Sequence, residues 1–424
     1  MRILYNIFFL IFGIIYLPYL LFKGKLHRDF LQKFSFLPEE IKHIKKPLWI
    51  HAVSVGEAAI ATKLAKAIKE TFPDARIVIS TTTRTGNDMA CKTSQGSVDE
   101  VFYFPLDVSF IVSRAVRLID PGIYIMIETE LWPNLLEELK RRQVPVILAN
   151  GRISDNSFRN YGRVAFIVKK ILNNISCFCM QSDTDAGRII KLGASPGKVS
   201  VTGNMKFDVE TPDQPEIGRK SLGFGDDDEI LVAGSTHYPE ESMVIDLFKE
   251  LRERKKNLKL VLAPRHIERV EAIKIYIEDK GLSYSLFSDI HSRKESFPSG
   301  SDILLVDTIG HLKDIYNAAT LVFVGGSMAK RGGQNPIEPG VWGKAVIFGV
   351  HMFNFREIAD IFVQGGAAAC VKDKTELKNK IEDLLNNEKK RREMETNALK
   401  IIRDNSGAIK KTVNRIGEYM AVKR

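Results

Sequence analysis

A glycine-rich segment in the last quarter of the chain has the composition of an anion-binding loop. Four apolar residues, 321–324, lead into Gly325, Gly326 and Ser327. Glycines after a strand let main-chain N–H groups approach an anion closely, and Pro336 suits the first turn of a helix whose N-terminus favours negative charge. The segment predicts a nucleotide-phosphate site. A Gly-rich connector is the alternative, because the spacing matches neither the Walker A nor the Rossmann pattern.

The residues after Pro336 extend the same prediction. Glu338 follows within the first turn of the predicted helix, where its carboxylate could accept hydrogen bonds from a ribose diol. A solvated Glu338 with no ligand is the competing interpretation.

Carboxylates also follow two apolar strands in the first half of the chain. Glu57 opens a helix after the first strand, where it either complements the helix dipole or, held away from water, has a raised pKa and acts as a general base. Glu128 and Glu130 leave the fourth strand. The turn into the helix that Pro133 starts should separate them, one entering a cleft and the other complementing the helix N-terminus. We interpret Glu128 as a site residue, since an unpaired charge beside a buried strand is costly.

Further polar groups follow other strands. Lys206 could meet an acidic substrate, although a surface lysine is an equal interpretation. Arg265, after Pro264, suits a nucleotide phosphate, and Gly234 to His237 suit a phosphate or sugar.

Metal-binding signals are weak. The Asp-x-Asp triplets at 183–185 and 226–228 cap a predicted helix or precede a predicted strand, and no HExxH motif occurs. We therefore predict a metal-independent reaction without a cofactor. The absence of a GxSxG elbow argues against an α/β hydrolase.

Alternating strands and helices must position these residues. Apolar strands without strict alternation indicate parallel sheets covered on both faces. They are predicted at 48–53, 76–81, 101–104, 123–127, 144–148, 177–180 and 199–202, and again at 229–233, 259–263, 302–306, 321–324, 345–348 and 367–371. The fold class is α/β with two Rossmann-like domains, 48–208 and 229–424, joined by a linker at 209–228. Two helices, 374–404 and 408–420, close the chain, and the last could pack back on the first domain.

An uncharged apolar run precedes the first domain. Residues 3–22 are long enough to cross a bilayer, and a cleaved signal peptide is the rival interpretation. We predict a membrane anchor at 1–22 and a basic amphipathic connector at 23–47 that could lie on lipid. The cations after residue 22 predict a globular part on the cytoplasmic side.

The composition indicates which classes of molecule the protein could bind. The formal net charge of +10 suits an anionic membrane surface or a phosphorylated substrate, and no nucleic-acid-binding signature appears. Cys91, Cys177, Cys179 and Cys370 form no CxxC motif, so they are predicted to be reduced thiols in the core.

Several blocks together resemble the 3-deoxy-D-manno-octulosonic acid (Kdo) transferases of lipopolysaccharide synthesis, over nearly the whole chain. The blocks are His51 to Glu57, Glu128 to Asn134, Gly203 to Asp208, Pro264 to His266, Asp307 to Gly310, Gly325 to Pro339 and His351 to Phe355. The resemblance implies a type-B glycosyltransferase fold, with two domains facing across a cleft. It implies transfer of Kdo from CMP-Kdo to the lipid A precursor lipid IVA, at the cytoplasmic face of the inner membrane and without a metal.

The resemblance also implies residue roles. Glu57 matches the proton acceptor, and Glu128 and Lys206 match groups that stabilise the transition state. The matches to CMP contacts are Pro264, Arg265, Ile309, Gly310, His311, Asn335, Pro336, Ile337 and Glu338, to which the glycine-loop argument adds Gly326 and Ser327. The sequence departs from the family pattern at His311, Gln334 and Val350, and backbone contacts at Gly310 should survive the change at 311.

Two alternatives stay open at this point. One is another sugar-nucleotide transferase or epimerase of the same architecture, and the other is a membrane-tethered nucleotide-binding module without catalysis. The carboxylates Glu57 and Glu128 weigh against the second, since nucleotide binding alone does not need them.

Overall fold

The computed structural model describes residues 5–6, 28–94, 96–209, 217–293 and 301–421. The chain forms two compact units. The first is built from the chain up to Asp208 together with the chain from Asn405 onward, and the second runs from Val209 to Asp404.

The first unit is a parallel sheet with helices on both faces. Its strands are β1 (Leu48–Ala52), β2 (Ile77–Thr81), β3 (Glu100–Tyr103), β4 (Ile123–Ile127), β5 (Val146–Gly151), β6 (Cys177–Met180) and β7 (Val199–Val201). Their order in the sheet is β3-β2-β1-β4-β5-β6-β7. Its helices are α1 (Val55–Thr71), α2 (Arg84–Thr93), α3 (Ser109–Ile119), α4 (Pro133–Arg141), α5 (Asp155–Arg163), α6 (Ala165–Leu172), α7 (Asp183–Lys191) and, from the chain end, α16 (Ala408–Ala421), with short 3₁₀ helices at Arg28–Phe34, Glu39–His43, Pro196–Lys198 and Met205–Phe207.

Two apolar cores lie on the two faces of this sheet. Because successive strand side chains point to opposite faces, Trp49 and Tyr124 join one core and Ile50 and Ile125 join the other. Val413 of α16 completes the second core. Strands buried on both faces explain the apolar runs without alternation that predicted a parallel sheet.

The second unit repeats the architecture. Its strands are β8 (Glu229–Thr236), β9 (Leu258–Pro264), β10 (Tyr284–Leu286), β11 (Ile303–Leu305), β12 (Leu321–Val324), β13 (Ala345–Gly349) and β14 (Ala368–Val371), in the order β10-β11-β9-β8-β12-β13-β14. Its helices are α8 (Glu240–Arg252), α9 (Val270–Asp279), α10 (Phe287–Arg293), α11 (Leu312–Ile315), α12 (Ile337–Val341), α13 (Arg356–Gln364), α14 (Lys374–Asn386) and α15 (Glu388–Asn405), with 3₁₀ helices at Ile267–Arg269 and Tyr316–Ala318. The predicted α/β class with two parallel Rossmann-like sheets is confirmed.

Several sequence predictions need correction. The edge strand β10 was not predicted. The stretch 374–404, predicted as one helix, is two helices that break at Asn387. Within the predicted linker, Ile217, Leu222 and Phe224 are buried, so its second half is packed structure.

The cysteines divide into two classes. Cys177 and Cys179 are buried on one face of β6 with their Sγ atoms 3.9 Å apart, as predicted. Cys91 and Cys370 are exposed, so the prediction of core thiols was wrong for these two.

Most of the predicted anchor, 1–22, lies outside the described residues. Of its described part, Asn6 donates to Ser109 Oγ at 2.5 Å, and its own side-chain oxygen accepts from Asn134 Nδ2 at 2.9 Å. No helix within the described residues is long and apolar enough to cross a membrane.

Strand order defines one crevice in each sheet. The chain leaves β1 toward β2 on one side and returns to β4 on the other, and it does the same at β8 and β12 in the second sheet. Ligands of open α/β sheets bind at the carboxyl ends of the strands beside such a switch point. The loops after β1, β4, β8 and β12 are therefore where a site is expected.

Candidate active site

Glu57 lies at the switch point of the first sheet, in the first turn of α1. Its backbone N–H donates to the Oγ of the N-cap Ser54 at 3.3 Å. In return, Ser54 Oγ donates to Glu57 Oε1 and the Val53 N–H donates to Oε2, both at 2.8 Å. The helix thus holds the carboxylate by a reciprocal cap. The capping interpretation of Glu57 and the site interpretation are compatible.

The protonation equilibrium of Glu57 is shifted toward the neutral form. Burial raises the pKa of this carboxyl, and the charge of Glu128 raises it further, while the hydrogen bonds from Val53 and Ser54 act in the opposite direction. A carboxylate that is both ordered and more basic than usual is suited to accept a proton.

Glu128 and Glu130 occupy a tight turn at the end of β4. Glu128 has a left-handed backbone with φ of +57°, and the Glu130 N–H donates to the Glu128 carbonyl at 3.2 Å. Lys206 Nζ lies 3.5 Å from Oε1 of Glu128. The structure therefore brings together the side chains of Glu128 and Lys206, which are 24% exposed each. An uncommon backbone conformation in a non-glycine residue at this position is typical of a functional turn.

Glu130 does not complement the helix N-terminus as the sequence predicted. Burial raises its pKa to about 7, and the charges of Glu57 and Glu128 contribute to that shift. The carboxylate that caps α4 is Asp107, which accepts from the N–H groups of Asn134 at 3.1 Å and Leu135 at 2.9 Å. Asp107 follows β3, and only its place after a strand could have indicated it.

A buried amide supports the segment that carries Lys206. Asn150, at the end of β5, has φ of +55° and accepts from the Met205 N–H at 2.9 Å. Asn204 caps the same 3₁₀ turn through a hydrogen bond from the Lys206 N–H. Sequence reasoning missed Asn150, because nothing near it in the chain marks its distant partner.

Polar groups of the glycine-rich loop after β12 make hydrogen bonds within the protein, which the sequence did not predict. The Gly326 N–H donates to the Glu240 carboxylate at 2.7 Å. Ser327 is fully buried, and its Oγ donates to the Val324 carbonyl and accepts from the Gly349 N–H. The amide of Gly326 and the hydroxyl of Ser327 are thus engaged within the protein, which corrects the prediction that this part of the loop presents them to an anion.

The second half of the loop leads into α12. Gly333 has φ of +71°, and a Cβ there would lie 2.1 Å from Met352 Sδ, so the backbone conformation and the packing both favour glycine. Pro336 is the N-cap of α12, and Asn335 Oδ1 accepts from the Ile337 N–H at 3.1 Å. Glu338 lies in the first turn and is partly buried.

Cationic and imidazole groups surround this loop. The Arg265 N–H donates to the Thr236 carbonyl at 2.9 Å, which places Arg265 beside the end of β8. The rings of His237 and His266 lie 5.3 Å apart. Burial lowers the pKa of His237; the Glu240 charge opposes this shift, and His266, Arg331 and Arg265 reinforce it. The concentration of positive charge is suited to a phosphate or carboxylate.

The segment at 309–311 follows β11, which pairs with β9 in the sheet. Ile309 is 77% exposed and Gly310 has φ of +103°. The ring of His311 lies 5.1 Å from that of Phe287 and 4.8 Å from that of His291. His311 thus packs in an aromatic cluster, and these contacts explain the position of its side chain without any bound ligand.

The described residues contain no group of three or more His, Cys, Asp or Glu side chains that could hold a metal ion. The two Asp-x-Asp triplets are accounted for otherwise. Asp185 lies in the first turn of α7, where its Oδ1 accepts from the Ile153 N–H at 2.7 Å, and Asp228 Oδ2 accepts from the Gly225 N–H at 2.7 Å.

A family model and individual relatives both point to the same family of proteins. A family model described as 3-deoxy-D-manno-octulosonic-acid transferase (kdotransferase) matches residues 28–209. A 3-deoxy-D-manno-octulosonic acid transferase of Haemophilus influenzae is 31% identical over 377 residues, which cover 88% of this chain and 87% of that protein. A bifunctional glycosyltransferase/methyltransferase of Fusobacterium nucleatum is 35% identical over 84% of this chain but only 55% of its own length.

Solved structures resemble the fold as a whole. A UDP-GlcNAc 2-epimerase from Neisseria meningitidis has a TM-score of 0.59 at 10% identity, covering 89% of this chain and 100% of that one. Acinetobacter baumannii MurG has a TM-score of 0.55 at 14% identity, covering 88% and 100%. At these identities the likeness concerns the fold, which is GT-B-like.

Proposed function

The chain belongs to the Kdo transferase family of glycosyltransferases, and from this premise we propose that it moves Kdo from CMP-Kdo to lipid IVA with inversion at the anomeric carbon. The observation that carries the proposal is the group Glu57, Glu128 and Lys206 at the switch point of the first sheet. The epimerase alternative shares only the fold with this chain, whereas the transferase relatives share sequence over most of it.

Glu57 would act as the general base. Its carboxylate takes the proton from a primary hydroxyl of the acceptor while that oxygen attacks the anomeric carbon of Kdo. The bond between that carbon and the phosphate oxygen breaks, and CMP leaves with the electron pair. The raised pKa of Glu57 favours proton uptake at neutral pH. Glu128 and Lys206, 3.5 Å apart, supply paired charges that would stabilise the transition state.

The second unit would bind the nucleotide. Pro264 ends β9 and Arg265 follows it, while the residues from Asn335 to Glu338 join the glycine-rich loop after β12 to α12. The strands β9 and β12 flank β8 in the second sheet. Ile309, Gly310 and His311 follow β11, the neighbour of β9, and are proposed to contact the nucleotide mainly through backbone. CMP carries one phosphate, so we propose that Arg265 and main-chain amides stabilise its departure without a divalent ion.

The acceptor is proposed to arrive from the cytoplasmic leaflet of the inner membrane. Apolar side chains on the first unit support this: Phe110 of α3 is 67% exposed and Phe36 is 56% exposed. The guanidinium of Arg114 lies 4.9 Å from the Phe36 ring, one helical turn from Phe110. Aromatic groups next to cations are suited to the surface of an anionic bilayer. The apolar run at 3–22 is proposed to anchor the chain there.

One assay tests the transfer. Purified full-length protein is incubated with purified CMP-Kdo and lipid IVA, and the product is analysed by mass spectrometry. The expected result is an acceptor that gains whole Kdo units as CMP is released in equal amount. Release of CMP without a gain in acceptor mass, or turnover of a UDP-sugar instead, would refute the proposed function.

A further inference from the structure

Glu240 is the first residue of α8 and is almost completely buried, with 1% of its surface exposed. Its Oε2 accepts from the N–H groups of His237 at 2.9 Å and Gly326 at 2.7 Å. Its Oε1 accepts from the N–H groups of Met328 at 2.8 Å and Ala329 at 3.2 Å. One side chain therefore binds four backbone amides from two loops.

The two loops that Glu240 joins come from the two sides of the switch point. His237 belongs to the turn after β8, whereas the other three amides belong to the glycine-rich loop after β12. A buried carboxylate is stable only when hydrogen-bond donors surround it. Because Glu240 lies at a helix N-terminus, the helix dipole stabilises its negative charge further. Hydrogen bonds to an ionised acceptor are also stronger than neutral ones. The Glu240 carboxylate thus occupies the site that these four backbone N–H groups form.

The contact continues along the glycine-rich loop. The Gly326 carbonyl, on the same residue whose N–H is bound by Glu240, accepts from the N–H groups of Arg331 at 3.1 Å and Gly333 at 2.9 Å. The position of Gly326 therefore fixes the loop as far as Gly333, two residues before Asn335. A displacement at Glu240 would move the segment that leads into α12.

We infer that Glu240 is a positioning residue for donor binding, which holds the loop from 325 to 335 in its binding conformation without itself contacting the nucleotide. This rests on the proposed function only for the identity of the donor. The arrangement of the loop is a separate matter that can be measured without substrate.

Glu241 provides a matched control. It is the next residue of α8, is 2% exposed, and pairs with Arg269 at 3.0 Å. The structure gives it no bond to the glycine-rich loop among the described residues. Glu241→Gln removes the same charge from the same buried turn, so any general effect of losing a carboxylate at this position should appear in both variants.

Glu240→Gln is the informative variant. The Gln side chain keeps its shape and one oxygen acceptor, but its NH₂ group must face one of the two pairs of N–H donors. Two of the four bonds are lost in either orientation. Hydrogen exchange of peptides that span 325–335 should accelerate about tenfold or more, the factor for one hydrogen bond to a charged group. Glu241→Gln should leave this exchange unchanged.

Binding is measured on the same full-length proteins. CMP affinity by titration calorimetry should weaken about tenfold in Glu240→Gln, with KM for CMP-Kdo raised in parallel and KM for the acceptor unchanged. Glu241→Gln should stay within about twofold, because Glu241 makes no hydrogen bond to the loop within the described residues. Glu240→Asp keeps the charge but has a shorter side chain, so it should show a smaller loss of exchange protection at 325–335 and a smaller loss of CMP affinity. If circular dichroism shows that the Gln variant is unfolded, the Asp variant is used for the test instead.

The outcomes are distinguishable. Unchanged exchange in Glu240→Gln would overturn the positioning of the loop, and faster exchange with unchanged CMP affinity and donor KM would overturn its role in binding. Failure of the wild-type protein to bind CMP would refute the proposed donor, while the exchange experiment would still decide whether Glu240 holds the loop.

Discussion

Glu57→Gln removes the carboxylate that is proposed to accept the proton and leaves the local structure nearly intact. In the wild type, Glu57 accepts from the Val53 N–H and from Ser54 Oγ, both at 2.8 Å. In the variant, the Gln oxygen can accept from Val53, and the Gln NH₂ can donate to Ser54 Oγ, because a hydroxyl also accepts. We therefore expect the free energy of unfolding to change by about 1 kcal/mol or less.

The rate should change far more than the stability. Loss of a general base typically costs about 10² to 10⁴ in rate, or about 3–5 kcal/mol in the activation barrier. CMP affinity should not change, since the residues that are proposed to bind the nucleotide belong to the second unit. The assay is single-turnover transfer with both substrates saturating, accompanied by CMP calorimetry and a thermal melt.

The pH profile gives a second signature of the same variant. Because burial raises the pKa of Glu57, the wild-type rate should fall as the pH drops through a value above the usual 4.5 of a glutamate. That limb should vanish in Glu57→Gln. Ser54→Ala is the control, because it removes the cap at a cost of about 1 kcal/mol in stability but keeps the carboxylate. A Gln variant within threefold of the wild-type rate would refute the assignment of Glu57 as the base.

Four further outcomes are expected. Burial raises the pKa of Glu130 to about 7, so this carboxyl is neutral at lower pH, and Glu130→Gln should leave the acid limb of the rate profile in place; a limb that moves to lower pH would show that Glu130 is ionised while Glu57 titrates. Transfer from purified donor should persist in excess EDTA, and restoration by Mg²⁺ of activity lost to EDTA would reveal a metal requirement. Deletion of residues 1–22 should reduce sedimentation with anionic vesicles yet preserve transfer to detergent-dispersed acceptor, and an inactive but folded truncation would mean that the segment helps to build the acceptor site. Arg141 lowers the pKa of Glu138 to about 2, so Glu138→Gln should cost about 2 kcal/mol of unfolding free energy at pH 7. Because the folded pKa is depressed, that difference should shrink in urea titrations between about pH 4.5 and 2, and a constant difference would contradict the ionic origin.

The sequence was sufficient for the parts of the fold that follow from local pattern. Strands of a parallel sheet are buried on both faces, so their mostly apolar runs indicated both sheets. Residues such as Glu57 and Glu128 could then be placed at the ends of the strands that precede them. The edge strand β10, Tyr284–Leu286, has three half-buried residues and no such run. Its strand character depends on pairing with β11, which local pattern does not report.

The site residues that were missed all act through partners far away in the chain. Glu240 binds Gly326 across 86 residues, Asn150 binds Met205 across 55, and Asp107 binds Asn134 across 27. In the sequence around it, each of them looks like an ordinary polar residue near the end of a helix or strand. The same limit explains the error at Glu130: proximity to Pro133 suggested a cap, while the position that reaches the helix amides is occupied by a carboxylate from another strand.

The chain end is built into the first unit, and this bears on how the protein folds during synthesis. Asp208 accepts from the N–H groups of Gly407 and Ile409, and Ile416 is buried in the core beneath α1. The second unit is contiguous in the chain and can be completed when residue 404 leaves the ribosome. The first unit is complete only once α16 is added, and until then part of the apolar core beneath α1 is uncovered. Contacts of such long sequence separation form slowly, so the half of the molecule that is translated first is the half that is finished last.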